Sequence, residues 1–202
     1  MIEKTIPGNK MKFNFIKQVY ENEGINVTSI IKKLKSSPNS VLEYANLLED
    51  REILIKSKQG RKKPAVRNLK INFNSELACL FIGLIEADKR EEITRKYTKF
   101  KNLIKQFNFS EVFVLLYGSY ARKSADNESD IDMVFVGDNV EKNKIKELLV
   151  TFPDASVKID STADFIKNSK KPLYQNILKE HVVLFNEILF IKTLAKIKRG
   201  DD

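Results

Sequence analysis

The stretch Glu111–Val136, EVFVLLYGSYARKSADNESDIDMVFV, decides the fold of the second half of the chain. It begins with an apolar run, Val112–Tyr117, which predicts a strand buried on both faces in the centre of a sheet. Gly118 and Ser119 end that run, and a short helix can begin there with Ser119 at or near its N-cap. A second apolar run, Met133–Val136, predicts another strand after a loop.

Two carboxylates stand at the start of this later strand, in Ser129-Asp130-Ile131-Asp132. Side chains two residues apart in a strand point to the same side, so Asp130 and Asp132 share a face. Carboxylate oxygens suit Mg²⁺, and two such aspartates would repel each other without a cation. The preceding turn offers N–H groups to a phosphate. The pattern predicts a site for Mg²⁺, one ion or two, and a nucleoside triphosphate. Surface aspartates on a polar edge strand are the alternative.

The same residues resemble a known family. Gly118-Ser119-Tyr120-Ala121-Arg122, followed after a short loop by Ser129-Asp130-Ile131-Asp132, is similar to the signature of the DNA polymerase β-like nucleotidyltransferase superfamily, and most of all to its minimal nucleotidyltransferases. The resemblance runs from about Phe100 to Leu189. It departs from the family pattern after the arginine, where the family often has Gly and this chain has Lys123.

The resemblance implies transfer of an NMP from an NTP, with ATP as the expected donor, to a hydroxyl acceptor. Asp130, Asp132 and a third carboxylate would be the catalytic residues and the metal ligands. We assign the third carboxylate to Asp160, at the end of a predicted strand, as general base or additional metal ligand. Asp154 and Asp164 compete for this role, but their loop and helix contexts suit it less.

The resemblance also implies which residues bind the nucleotide and which acceptors are used. The nucleotide-binding residues would be Gly118, Ser119, Arg122, Lys123 and Ser129. Members of the superfamily modify antibiotics, RNA ends or protein hydroxyl groups, and small members often act as antitoxins that modify a partner toxin. A protein acceptor such as a partner toxin is therefore one of the expected partners.

The first 74 residues predict a winged helix-turn-helix. The predicted helices are Met11–Glu23, one from a cap at Thr28 or Ser29 to Lys35, and Ser40–Asp50. The predicted strands are Glu52–Lys56 and Ala65–Phe73. A basic loop lies between these strands, and it would contact phosphates of DNA or RNA through Lys58, Arg61, Lys62 and Lys63. Asn39 and Ser40 would face a groove. The alternative is a packing or dimerisation module with a solvated basic hairpin.

The fold class expected for the whole chain is α+β. We expect a winged helix-turn-helix at 1–74, a linking helix at 75–99, and a nucleotidyltransferase domain at 100–202 with a small mixed sheet flanked by helices. The net charge of +9 favours a polyanionic partner or a nucleotide. One cysteine, Cys79, and no leader-like or membrane-length apolar run favour a cytoplasmic protein with no membrane partner. A homodimer would match two-fold half-sites.

Three functions remain open on the sequence. The first is an enzyme that modifies a protein or a small molecule while its helix-turn-helix regulates its own operon. The second is an RNA-directed nucleotidyltransferase. The third is a DNA-binding transcriptional regulator whose nucleotidyltransferase fold only senses nucleotide. The intact Ser129–Asp132 motif argues against the third function, because a sensor need not keep both carboxylates.

Overall fold

The computed structural model describes residues 10–59, 66–126 and 128–200. The chain divides into two compact units, residues 1–85 and residues 86–202. The boundary falls inside the helix Glu76–Lys96. Within the described residues, no helix is both long enough and apolar enough to cross a membrane.

The described residues of the first unit form three helices followed by a two-stranded hairpin, before the start of a further helix. The helices are α1 (Lys10–Glu21), α2 (Val27–Leu34) and α3 (Pro38–Asp50). The strands β1 (Leu54–Gln59) and β2 (Val66–Ile71) pair antiparallel. Asn26 is the N-cap of α2, because its side chain accepts a hydrogen bond from the Ser29 N–H at 2.8 Å. The cap expected at Thr28 or Ser29 is therefore wrong by two or three residues.

Between α1 and α2, a short extended segment of the chain forms backbone hydrogen bonds with strand β2 of the hairpin. The Gly24 N–H donates to the Leu69 carbonyl at 3.1 Å, and the Leu69 N–H donates to the Ile25 carbonyl at 3.0 Å. Gly24 has a φ of +76°, which glycine adopts without strain, and this lets the chain turn out of α1. The segment therefore lies against β2 as a third, very short strand.

The second unit contains a four-stranded mixed sheet with helices on both faces. In chain order its elements are α4 (Glu76–Lys96, which begins in the first unit), α5 (Lys99–Lys105), β3 (Phe113–Leu116), α6 (Gly118–Ala121), β4 (Ile131–Val136), α7 (Lys142–Thr151), β5 (Ala155–Asp160), α8 (Thr162–Asn168), α9 (Pro172–Lys179), β6 (Val182–Phe185) and α10 (Glu187–Arg199). The strand order is β5-β4-β3-β6. β3 is antiparallel to β4 and β6, whereas β4 and β5 are parallel. The expected small mixed sheet flanked by helices is confirmed.

The two faces of this sheet have different partners. On one face α5 and the aromatic residues after it pack on the strands: the Phe107 ring centre lies 5.7 Å from that of Phe135. On the other face Phe113 packs against Phe165 and Phe190, with ring centres 5.6 Å apart in each case. Because strand side chains alternate, this second face also carries the polar residues of β4 and β5.

Candidate functional site

The candidate site lies where β3 ends and β4 begins. It combines the turn at Gly118 with the aspartates Asp130 and Asp132. The Tyr117 N–H donates to the Asp132 carbonyl at 3.0 Å. Gly118 has a φ of +71°, and a Cβ at this position would lie 3.1 Å from Cγ of Asp132 and closer still to a carboxylate oxygen. Any other residue would therefore be strained and would collide with that carboxylate. Gly118 lets the Asp132 side chain lie directly on the main chain of the turn.

The carboxylates of Asp130 and Asp132 influence each other. Partial burial, and then the negative charge of Asp130, raise the pKa of Asp132, while the positive charge of Arg122 partly opposes them. Asp130 itself is exposed to solvent. In the part of the chain that the structure describes, neither carboxylate forms an ion pair with a lysine or arginine. Among the described residues, the two aspartates therefore form an anionic pair that no lysine or arginine contacts directly, and the charge of Arg122 acts on it from a greater distance.

The donor set of this pair fits a hard divalent cation. Two neighbouring carboxylates that repel each other are relieved when a cation lies between them. Among residues 10–59, 66–126 and 128–200, no group of three or more His, Cys, Asp or Glu side chains could hold a metal ion. A cation on Asp130 and Asp132 would therefore need further oxygen ligands from water or phosphate, which is how Mg²⁺ is commonly bound at nucleotide sites.

The two basic residues that follow the turn differ in their surroundings. Arg122 is half exposed, with its Nη1 3.6 Å from a carboxylate oxygen of Glu180, and its charge reaches Asp132. The Lys123 ammonium instead pairs with Glu92 of α4, and the Lys123 carbonyl accepts a hydrogen bond from Lys96 Nζ at 2.7 Å. Of the two cations predicted to bind phosphate, Arg122 is the one whose charge acts on Asp132.

The two predicted serines also have different environments. α6 begins at Gly118 with Tyr117 as its N-cap, so Ser119 lies in the first turn, and Tyr117 makes no side-chain capping bond. The Ser129 hydroxyl donates to Oδ1 of Asp126 at 2.7 Å and accepts from the Asp126 N–H at 3.0 Å. Ser129 therefore shapes the loop before β4, and a role in nucleotide binding remains a prediction for it.

The third predicted carboxylate, Asp160, has both of its oxygens occupied. Oδ1 accepts a hydrogen bond from Lys158 Nζ at 2.8 Å, and Oδ2 accepts one from the Tyr174 hydroxyl at 2.8 Å. Asp160 is buried, with 8% of its surface exposed. A direct role as general base or metal ligand stays a prediction for this residue, and the incoming proton or metal would share an oxygen that already accepts a hydrogen bond.

The strand register separates Asp160 from the aspartate pair. In the parallel ladder Asp132 is the partner of Ser156, and Val136 is the partner of Asp160. Four residues of a parallel strand span about 13 Å. The structure therefore brings Asp130 and Asp132 together at the start of β4, and it does not bring Asp160 into the same group.

Three residues near the site were not assigned from the sequence. Lys158 shares a face with Asp160 in the alternating pattern of β5, and that signal was available. Tyr117, just after β3, is within electrostatic range of these groups: burial and the Asp132 charge raise its pKa, whereas the Lys158 charge lowers it. Tyr174 comes from α9, fourteen residues after Asp160, and no local pattern in the sequence indicates that contact.

The predicted nucleic-acid-binding residues lie in the first unit. Asn39 and Ser40 are exposed in the first turn of α3, where Ser37 is the N-cap: its Oγ accepts a hydrogen bond from the Ser40 N–H at 3.2 Å. Lys58 belongs to β1, although its side chain is not among those described. Arg61, Lys62 and Lys63 lie outside the described residues.

Comparison with known proteins agrees with this site. Residues 98–188, a little under half of the chain, match the family described as Polymerase beta, Nucleotidyltransferase. The match contains the Gly118 turn and the Asp130–Asp132 pair. Among solved structures, the chain is similar to one described as "Crystal structure of the toxin-antitoxin with AMP-PNP", at 20% identity and a TM-score of 0.33, over 51% of this chain and 87% of that one. No curated protein matches the chain.

Proposed function

We propose that the chain is a Mg²⁺-dependent nucleotidyltransferase that moves an NMP from an NTP to a hydroxyl acceptor. The observation that supports this most strongly is the contact between Gly118 and Asp132. This contact holds one of two mutually repelling carboxylates against a strand-to-helix turn. The match of residues 98–188 to a nucleotidyltransferase family supports the same reaction class. ATP is the first donor to test.

Each residue of the site has a distinct part in the proposed reaction. Asp130 and Asp132 would hold Mg²⁺, which when bound neutralises phosphate charge. The α6 turn at Gly118 and Ser119 would orient the β- and γ-phosphates, and Arg122 would add positive charge beside them. Such positioning and charge neutralisation supply most of the catalysis in phosphoryl transfer.

The bond changes are those of an in-line displacement at the α-phosphorus. The oxygen of the acceptor hydroxyl forms a bond to the α-phosphorus, and the bond from that phosphorus to the oxygen bridging it to the β-phosphate breaks. Pyrophosphate leaves with the electron pair of the broken bond. The proton of the acceptor hydroxyl passes to solvent. No oxidant or reductant is needed.

Transfer of label from a nucleotide tests the proposal. The purified protein is incubated with Mg²⁺ and each α-labelled NTP, separately with RNA, with DNA and with cell lysate. We expect label on an acceptor together with release of pyrophosphate. Label on a protein would identify a protein-modifying enzyme, and label on RNA would identify an RNA-directed transferase. Nucleotide-dependent DNA binding with no transfer would instead select a regulator that senses nucleotide.

Substitution of the aspartate pair provides the matched control. Asp130→Asn and Asp132→Asn keep the side-chain shape but remove the charge that Mg²⁺ requires, and we expect each to lower transfer at least about 10³-fold. Asp138→Asn, just beyond the other end of β4, also removes one negative charge from the second unit. It should leave nucleotide transfer unchanged. Wild-type turnover in either aspartate-pair variant would overturn the proposal.

We also propose that the first unit is a winged helix-turn-helix that binds nucleic acid through its hairpin. Two observations support it. In the part of this unit that the structure describes, α1, α2 and α3 precede an antiparallel hairpin, and the Gly24–Asn26 segment pairs with β2 as a short extra strand. In α3 the sequence PNSVLEYANLLED contains three acids and no lysine or arginine. The hairpin, rather than α3, is therefore the element with the charge to contact phosphate.

Salt-dependent binding tests the second proposal. A variant with Lys58, Arg61, Lys62 and Lys63 changed to Gln is compared with wild type on labelled DNA and RNA duplexes at rising salt. On DNA, the slope of log affinity against log salt should become shallower by about 0.9 for each phosphate that the variant no longer neutralises. The control replaces four lysines of the second unit with Gln: Lys101, Lys105, Lys142 and Lys146. Equal reductions in both variants would indicate a non-specific effect of net charge.

A further inference from the structure

A lysine on the polar side of the sheet is held in place by buried partners. Lys158 Nζ lies 2.8 Å from Oδ1 of Asp160 and 5.5 Å from the centre of the Tyr174 ring. Asp160 and Tyr174 are 8% and 5% exposed, whereas the Lys158 side chain keeps 34% of its surface exposed. The Lys158 ammonium is therefore fixed on its buried side and open to solvent on the other.

Lys158 lies on the same face of the sheet as Asp132 and further along in the strand direction. The ladder pairs Asp132 with Ser156 and Val134 with Lys158, so Lys158 is one same-face position further along the sheet than Asp132. The Tyr117 side chain lies within electrostatic range of both groups. A phosphate chain that contacts the Asp132 end of β4 can therefore extend to Lys158.

The acidic groups on this face are too few for two divalent cations. Two such ions about 3.5–4 Å apart repel each other and need several anionic ligands. In the described part of the chain, Asp130 and Asp132 are the two carboxylates that act on each other here. The next carboxylate along the face, Asp160, already has Lys158 and Tyr174 on its oxygens.

We propose that the site binds one divalent cation per bound nucleotide, on Asp130 and Asp132, and that the Lys158 ammonium supplies the second positive charge to the phosphates. Asp160 and Tyr174 are positioning residues that hold Lys158. The ammonium stays protonated and forms no covalent bond: it donates N–H to phosphate oxygens whose negative charge grows as pyrophosphate leaves. This inference rests on the proposed transferase function and competes with a direct metal-binding role for Asp160.

The number of bound cations tests the inference on the unmodified protein. Mn²⁺ is titrated into the full chain with a non-hydrolysable ATP analogue, and unbound Mn²⁺ is followed by electron paramagnetic resonance. We expect one Mn²⁺ per protein–nucleotide complex. Two Mn²⁺ ions in a chain that transfers nucleotide would overturn this inference and leave the transferase function intact. Absence of both nucleotide binding and transfer would overturn the two together.

Steady-state kinetics test the part assigned to Lys158. Lys158→Met removes the charge but keeps the length of the side chain, and it should lower kcat about 10²-fold with little change in KM. Lys158→Arg should recover most of that activity. Lys146→Met, on the exposed side of α7, is the matched control and should behave as wild type. A Lys158→Met enzyme with wild-type kcat would overturn the assignment.

Asp160→Asn separates positioning from metal binding. If Asp160 holds Lys158, this variant still binds one Mn²⁺ with unchanged affinity, and its kcat falls about tenfold because Lys158 is less restrained. If Asp160 is a metal ligand, the variant loses Mn²⁺ affinity, and the inference is overturned. Circular dichroism of each variant confirms that it is folded, and the wild-type Mn²⁺ titration decides the question for any variant that is not.

Discussion

Two aspartates on the polar face of the sheet, Asp132 in β4 and Asp160 in β5, have opposite environments. The Asp132 carboxylate lies on Gly118 beside a second carboxylate, and its pKa is raised. The Asp160 carboxylate accepts hydrogen bonds from Lys158 and Tyr174 at 2.8 Å each. Asp132 therefore needs a cation in direct contact, which the described protein groups do not supply, whereas Asp160 already has the Lys158 ammonium.

This difference shows that two aspartates in similar sequence settings can have different tasks. Each stands in a strand among apolar neighbours, at Ile131-Asp132-Met133 and Val157-Lys158-Ile159-Asp160. A negative charge without a compensating partner is costly, so it persists where an incoming ligand relieves it. A compensated charge instead fixes the groups around it. We therefore assign cation binding to the first aspartate and positioning to the second.

Among the variants that test this comparison, the largest effect is expected from filling the space between Gly118 and Asp132. Gly118→Ala should lower transfer about 10²-fold, because the new methyl group displaces the carboxylate that binds the cation. Gly24→Ala is the matched control: its φ of +76° is close to the +71° of Gly118, but nothing lies within 4 Å of its added Cβ. It should cost about 1 kcal/mol of unfolding free energy with transfer unchanged. Equal losses of activity in Gly118→Ala and Gly24→Ala would contradict the claim that transfer depends on the packing of Asp132 on Gly118.

The second-largest expected effect is a loss of stability on changing a third carboxylate, Glu86, which is fully buried. Its Oε1 lies 2.9 Å from Lys89 Nζ and 3.3 Å from His181 Nε2. Burial alone would raise the pKa of Glu86, but the neighbouring Lys89 ammonium and His181 ring outweigh it and hold this pKa well below its usual range. Like Asp160, Glu86 is a carboxylate that is paired with a lysine.

Glu86→Gln should lower the unfolding free energy by about 2 kcal/mol at pH 7. A depressed carboxyl pKa stabilises the fold above the unfolded value of 4.5, and this stabilisation is lost as the pH falls toward the folded pKa. The difference between wild type and variant should therefore shrink in acid. Denaturant titrations between pH 3 and pH 7 measure it, with the exposed Glu147→Gln as control. A difference that grows below pH 4.5 would contradict the assignment.

The smallest expected effect concerns two Lys–Asp ion pairs that have the same N–O distance. Lys158–Asp160 and Lys99–Asp154 both have an N–O distance of 2.8 Å, but Asp160 is 8% exposed and Asp154 is 44% exposed. Asp160→Asn should lower the unfolding free energy by about 1 kcal/mol, and Asp154→Asn by less than about 0.5 kcal/mol. Urea unfolding of both variants measures the two values. A larger decrease at Asp154 would reverse the comparison.

The local part of the site was predictable from the sequence, and the distant part was not. Gly118, Asp130 and Asp132 come together through a strand, a turn and side-chain alternation, all within fifteen residues. The partners of Asp160 and Lys123 depend on contacts with Tyr174 and with Glu92, the latter 31 residues away from Lys123. Side-chain patterns record the face of a strand but not the register or the neighbours that tertiary packing supplies.

The same distinction applies to the fold. The mixed sheet predicted from the sequence is confirmed, and the helix Glu76–Lys96 lies within the range predicted for the linking helix, 75–99. The strand order β5-β4-β3-β6 has no local signal, because hydrophobic runs do not specify which strand lies beside which. The parallel pairing of β4 with β5 separates Asp160 from Asp132, and it follows from that order.

The packing of Asp132 on Gly118 also makes the glycine a spectroscopic reporter. The Gly118 α-protons face the carboxylate, so their NMR chemical shifts respond to its charge and ionisation. In a protein sample with ¹³C-labelled glycine, this resonance should move when Mg²⁺ is added and when Asp132 titrates, before any acceptor is known. The chain has seven glycines, so the spectrum would be simple to assign. Arrival of the metal could then be measured separately from the chemistry that follows.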